Sequence, residues 1–201
     1  MEPHFPDALP PALVRAFTCA DHLATWTAGR CRFRLLSYYR ALEADVRRDD
    51  GEGEARHIVL GVNGTKVNYG GSVHNPIYVL SFSEPEAPAV ATDRYGTSVA
   101  HIDDVASLVR RLSRAVADFS FESRELLSVV LHRVRYSRDT TIDPEPTRDE
   151  RHNLMITQKD QRDADDREWR VAVTVFGPVA GAPDEFWVSF ETIADSVAPA
   201  V

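Results

Sequence analysis

The stretch Asp166-Arg167-Glu168-Trp169-Arg170-Val171-Ala172-Val173-Thr174-Val175-Phe176 restricts the fold more than any other part of the chain. Side chains of an extended segment alternate between two faces, so Trp169, Val171, Val173 and Val175 form one unbroken apolar face that must lie against a core. Asp166, Glu168, Arg170, Ala172 and Thr174 point the other way. Two carboxylates and a guanidinium thus share the mouth of one strand, and the small residues behind them leave room for a ligand. The competing reading is a solvated strand edge with lateral ion pairs, each contributing about 0–1 kcal/mol.

The remaining elements predict an α+β domain with a mixed or mostly antiparallel sheet and packed helices. Residues 1–10 hold three of the twelve prolines and are expected to be a tether, with residues 11–201 as a single domain. Pro11 suits a helix first turn, Ala12–Phe17 is a short segment, and a helix capped by Asp21 runs to a stop at Gly29. Cys31–Leu36 alternates with period two and is expected to be the first strand. A helix over Ser37–Val46 and an acidic loop over Asp49–Glu54 follow. Strands over His57–Gly61 and Lys66–Tyr69 flank the hairpin signal Asn63-Gly64, and Gly70-Gly71 ends the pair. Ile77–Ser83 is a nearly continuous apolar run, as in a central strand whose end meets solvent.

Val105, Leu108, Val109, Leu112 and Val116 have helical spacing after an Asp103 or Asp104 cap. Leu126–Tyr136 reads as a helix end passing into a strand. Arg138–His152, with Pro144 and Pro146 among charges, reads as an exposed loop. Leu154–Thr157 is expected to be a short strand, Lys159–Asp165 a solvated connection, and Glu168–Phe176 and Glu185–Glu191 the final strands.

Two further groups could carry chemistry. Ser81 and Ser83 leave the end of the central strand on one side, with Phe82 on the other. Both hydroxyls can hydrogen-bond a ligand or a carboxylate, although serines at strand ends commonly satisfy a turn. Arg30, Arg32 and Arg34 share one face of an extended segment, with Arg40 following. Guanidinium forks suit phosphate; equally, such a row protects an edge strand.

The seven histidines show neither H-x-H nor H-x-x-x-H spacing, so no metal is expected, and His57 or His132 would be core residues. Cys19 and Cys31 form no disulfide or ligand pattern and are expected to be small buried hydrophobes. The phosphate-loop, dinucleotide and hydrolase signatures G-x-x-x-x-G-K-[ST], G-x-G-x-x-G and G-x-S-x-G do not occur.

Charge narrows the partners. Twenty-three Lys and Arg against 31 Asp and Glu give a net charge of −8, which disfavours non-specific binding to nucleic acid or to anionic membranes. No apolar run approaches the roughly 20 residues of a membrane helix, and the acidic, proline-bearing start is unlike a secretion signal. A cytoplasmic location is expected.

Read in order, several segments resemble an uncharacterised bacterial domain family with a closing E-x-E-aromatic-R signature. They are Gly29–Arg34 running into Ser37-Tyr38-Tyr39-Arg40-Ala41-Leu42-Glu43, Arg48–Gly53, Tyr78–Ser83, Tyr95–Ile102, Lys159-Asp160 and Glu168-Trp169-Arg170. More distantly, a first-strand arginine, a central-strand serine motif and an acidic-x-Glu opening a late strand are similar to the R-S-E layout of ADP-ribosyltransferases. That resemblance implies an ADP-ribosyltransferase-like fold and an NAD-consuming transferase acting on an unknown macromolecular acceptor, for instance as a toxin or defence effector.

Under this resemblance Arg34 or Arg32 would hold the NAD pyrophosphate, with Tyr39, Arg40, Ser83 and Arg170 completing the cofactor site. Ser81 would position the nicotinamide ribose and Glu168. Glu168 would bond the ribose 2′-hydroxyl and stabilise the oxocarbenium-like centre as nicotinamide leaves. Asp166 stands where the family has glutamate, one methylene longer, so hydrolysis of NAD stands beside transfer. Alternatives are a non-catalytic nucleotide- or phosphate-binding module and an acidic protein-interaction domain.

Overall fold

The computed structural model describes residues 8–38, 54–60, 66–72, 74–91, 94–121, 125–137, 140–142, 147–159 and 161–191. It is an α+β structure organised around a curled antiparallel sheet. In chain order the elements are β1 (Leu13–Phe17), α1 (Ala20–Thr27), β2 (Arg30–Leu35), β3 (Glu54–Leu60), β4 (Lys66–Ser72) and β5 (Ile77–Ser83). The short helix α2 (Pro88–Ala91), β6 (Ser98–Ile102), α3 (Val105–Ala117), β7 (Leu126–Arg133) and β8 (Thr140–Ile142) follow. The last elements are α4 (Arg148–Thr157), a 3₁₀ helix over Gln161–Asp166, β9 (Glu168–Val175) and β10 (Glu185–Ser189).

Seven strands form the main sheet, and β5 is its axis. One edge of β5 pairs with β9 along its whole length, from Ile77↔Thr174 to Ser83↔Glu168, and β9 pairs with β7 beyond it. The other edge is divided. β2 pairs near its start (Arg34↔Val79, Leu35↔Tyr78) and β1 only at its end (Val14↔Ser83). The sheet therefore forks at Leu80–Phe82, with β10 flanking β2 on one branch and β6 flanking β1 on the other. A smaller sheet, β4-β3-β8, joins antiparallel and parallel pairs.

The alternation read from the sequence sets the two faces. Tyr78, Leu80 and Phe82 of β5, Trp169, Val171, Val173 and Val175 of β9, and Phe33 and Leu35 of β2 enter one core. The buried Leu108, Val109, Leu112 and Val116 of α3 cover it, and Asp104 caps that helix by accepting the Ser107 N–H at 2.9 Å. The opposite face holds a smaller apolar group, Leu36, Ile77, Val79, Ala172 and Ile156, the last supplied by α4. Both faces of β9 are thereby covered and all eight of its residues are buried.

Several expectations require correction. Leu13–Phe17 is a strand, so the strand expected first is the second. The N-cap of α1 is Cys19, which makes no side-chain cap bond, and Asp21 lies inside the first turn. β4 continues through Gly70-Gly71 to Ser72. Leu126–Arg133 is strand from its beginning, because pairing with β9 overrides the helix preference of its leucines. The expected loop 138–152 contains β8 and the start of α4, and Leu154–Thr157 is helical rather than extended. Lys159–Asp165 is not a solvated connection: Lys159 and Asp163 are buried. Cys19 is exposed, whereas burial pushes the Cys31 thiol up to about 12. Tyr39, Arg40, the acidic loop 49–53 and Asn63-Gly64 lie outside the described residues.

Candidate functional site

The fork creates the site. Where neither β1 nor β2 pairs with β5, the Ser81 carbonyl accepts a hydrogen bond from Arg15 Nη1 at 2.6 Å. A partly buried peptide acceptor left by the diverging strands is thus satisfied by a cation. The Arg15 guanidinium lies 5.5 Å from the Phe17 and Trp26 ring centroids and 5.7 Å from that of Phe82. A pocket of about 300 Å³ opens over this point, between β1, β2 and the end of β5.

β9 delivers the acidic side chains as the alternation requires. Ser81 pairs with Arg170, Ser83 with Glu168, and all four project from the same face. Ser81 Oγ donates to Glu168 Oε1 at 2.5 Å, and Arg170 Nε donates to the same oxygen at 2.7 Å. Glu168 Oε2 accepts from Lys159 Nζ at 3.0 Å and from Arg170 Nη2 at 3.4 Å. Arg170 also donates to the Ile156 carbonyl at 2.7 Å, which ties the end of α4 to the sheet. Backbone bonds from Arg135 to Thr157 and from Lys159 to Arg135 pin the following residues beside β7, so the Lys159 ammonium is carried to Glu168.

Asp166 sits immediately before. Its oxygens accept from Arg94 Nη1 at 3.0 Å and from the Tyr95 hydroxyl at 2.6 Å, with Lys159 Nζ at 3.5 Å. Arg94 also reaches Asp163 at 3.2 Å. Arg167, between the two carboxylates, has a φ of 40°, in the left-handed region that a side chain adopts only where its surroundings impose it. This kink turns the chain from the 3₁₀ helix into β9.

The two carboxyls are driven apart. Burial alone would raise Glu168, but Arg170, Lys159 and the Ser81 hydrogen bond outweigh it and hold the carboxyl far below the usual carboxylate range. For Asp166 burial prevails: Lys159, Tyr95 and Arg94 only partly offset it, the Glu168 charge adds to it, and its pKa is raised. A solvated edge is thereby ruled out, since Glu168, Asp166 and Arg170 are all buried.

The arginine row faces the pocket from β2. Arg32 and Arg34 lie 3.4 and 3.5 Å from Glu185 of β10, and Arg34 stacks 4.4 Å from the Tyr38 ring. The buried Arg34 Nε has no hydrogen-bond partner among the described residues. In all, Arg15, Arg30, Arg32, Arg34, Lys159 and Arg170 line a pocket whose lining carboxylates, among the described residues, are Asp166 and Glu168.

The structure therefore brings together Ser81, Ser83, Arg32, Arg34, Asp166, Glu168 and Arg170, while Tyr39 and Arg40 fall outside the described residues. It adds Arg15, Lys159, Tyr95, Trp26 and Trp187, which sequence reasoning did not assign to a site. Arg15 between Leu13 and Phe17 left a signal, a cation on an otherwise apolar strand face; Lys159 left none, because its position depends on where α4 ends. Among the described residues, no group of three or more His, Cys, Asp or Glu side chains is placed to hold a metal ion, and no helix is long and apolar enough to cross a membrane. Comparison of the chain with known protein families, with curated proteins and with solved structures finds no match in any of the three.

Proposed function

We propose that the pocket at the sheet fork binds a phosphorylated, nucleotide-like small molecule. The observation that carries this reading is the concentration of six cationic side chains against two carboxylates around about 300 Å³, in a chain whose net charge is −8. Glu168 is balanced by Arg170 and Lys159, whereas Arg32 and Arg34 share the single carboxylate of Glu185, so the β2 row presents more positive than negative charge to the pocket. Guanidiniums spaced by two along β2 can form the paired, charge-assisted bonds that phosphate oxygens accept. The buried Arg34 Nε is a donor that such an oxygen would satisfy. A thermal-shift panel tests the reading: ADP-ribose, ATP and inorganic pyrophosphate should raise the melting temperature, and an uncharged sugar such as ribose should not. Equal response to all four, or to none, would contradict it.

A second reading is favoured by one contact, the Ser81–Glu168 hydrogen bond beside that pocket. NAD would bind with its pyrophosphate on Arg32 or Arg34. The bond between nicotinamide and the ribose anomeric carbon would break, its electron pair leaving with nicotinamide, and the anionic Glu168 would stabilise the positive charge left on the sugar. An acceptor hydroxyl or water would then attack, losing its proton to Asp166, whose raised pKa suits a base better than an ordinary aspartate. An ADP-ribosyltransferase or NAD glycohydrolase of ADP-ribosyltransferase-like fold would work in this way.

Glu168 already accepts four hydrogen bonds, close to the capacity of a carboxylate, so a ribose hydroxyl would have to displace the long Arg170 Nη2 contact or Lys159. Nicotinamide release from NAD, followed by chromatography, decides between the readings. The enzyme reading expects turnover that Ser81→Ala reduces by tenfold or more while ADP-ribose binding persists; binding without release leaves the pocket as a binding module.

A further inference from the structure

Of the four exposed large apolar side chains among the described residues, Leu9, Leu127, Phe176 and Trp187, only Trp187 lines the pocket. It is 40% exposed and stands on the polar face of β10, the face it shares with Glu185 and Ser189. Exposed aromatics on an edge strand invite edge-to-edge association, so this position carries a cost unless the ring is used. The ring is also well fixed. Trp187 lies directly across from Arg32 in the β2–β10 ladder, with the Arg32 and Arg30 guanidiniums 5.5 and 5.7 Å from its centroid. Its Nε1 donates to Glu185 Oε1 at 3.3 Å, and the same carboxylate pairs with Arg32 and Arg34. A rigid, partly exposed indole thus stands next to the guanidiniums assigned to phosphate.

We propose that Trp187 is a base-stacking platform at the mouth of this pocket, so that the ligand is a nucleotide with its planar base on the indole and its phosphates on Arg32 and Arg34. The inference rests on the anion-binding reading and narrows it to ligands that carry a base. Stacking on an aromatic ring is tolerant of base identity, since every base presents a π-face, so adenine and guanine nucleotides should be accepted alike.

The test compares ADP, which has a base, with inorganic pyrophosphate, which has none, by titration calorimetry on the full chain. Trp187→Ala should weaken ADP by about 5- to 150-fold, the range that loss of one stacked base gives, and leave pyrophosphate within about twofold. Trp187→Phe should recover most of the ADP affinity, which a collapsed β10 would not. Equal weakening of both ligands, or of neither, would overturn the platform while leaving the anion pocket standing. If neither ligand binds the unaltered protein, the anion pocket fails and the platform with it.

Discussion

Glu168 and Asp166 are two residues apart and both buried, and burial raises both pKa values, yet their net shifts have opposite sign because their neighbours differ. Glu168 has a guanidinium, an ammonium and a hydroxyl on it, so its folded pKa lies below its unfolded value. It therefore contributes stability at neutral pH, lost as pH falls below about 5. The raised pKa of Asp166 works against folding once pH exceeds it, a penalty relieved on acidification. Glu168→Gln removes the carboxylate that Arg170 and Lys159 share and should cost about 3–5 kcal/mol at pH 7. Asp166→Asn should be neutral or stabilising, because Arg94 keeps Asp163 and Lys159 keeps Glu168. Urea denaturation at pH 7 and pH 3 checks both: the Glu168→Gln deficit should narrow at the lower pH, which lies well below the unfolded carboxylate pKa. A deficit for Asp166→Asn equal to that of Glu168→Gln would refute the assignment. Ser81, Glu168 and Arg170 were legible because strict alternation places them on one face once the segments are extended. Lys159, Arg94 and Tyr95 were not, since their approach depends on tertiary packing with no periodic trace.

Elements with a long, regular apolar pattern were legible in the sequence. β5, β9 and α3 begin and end within a residue or two of where their patterns do, and Asp104 caps α3 as its side chain chemistry requires. Short segments were not. Leu154–Thr157 is a run that a strand or a helix can equally contain, and it forms the last turn of α4, where Leu154 and Ile156 are buried. Gly96 shows how tightly the segment carrying Tyr95 is fitted. Its φ is +123°, and a Cβ there would lie 2.0 Å from the Phe17 carbonyl oxygen of β1. Gly96→Ala should cost at least about 1–3 kcal/mol in backbone strain alone, or roughly 2–10 °C in melting temperature for a chain of this size. It should also disturb the Tyr95–Asp166 bond next to the site. An unchanged melting temperature would show that β1 and this turn are not in contact.

At the scale of the whole molecule, the site exists because β5 serves two strands on one edge. β1 and β2 are separated along the chain by α1, and nothing local to either says that they meet β5 at different heights. Such pairings are set by long-range contacts, so the fork and the Arg15–Ser81 bond within it were hidden from the sequence while the residues around them were visible. The same arrangement would reconcile an acidic chain with the anionic ligand we propose. Carboxylates spread over the surface keep the net charge at −8, whereas a concave, partly apolar pocket concentrates the field of its arginines. The most direct measurement is a calorimetric titration of ADP-ribose into the unaltered protein and into the Arg32→Ala/Arg34→Ala double variant, at low and high salt. One site per chain should bind, weaken as salt rises, and lose at least about tenfold in affinity in the variant. No binding at low salt, or equal affinity in both proteins, would contradict the assignment of the fork as an anion pocket.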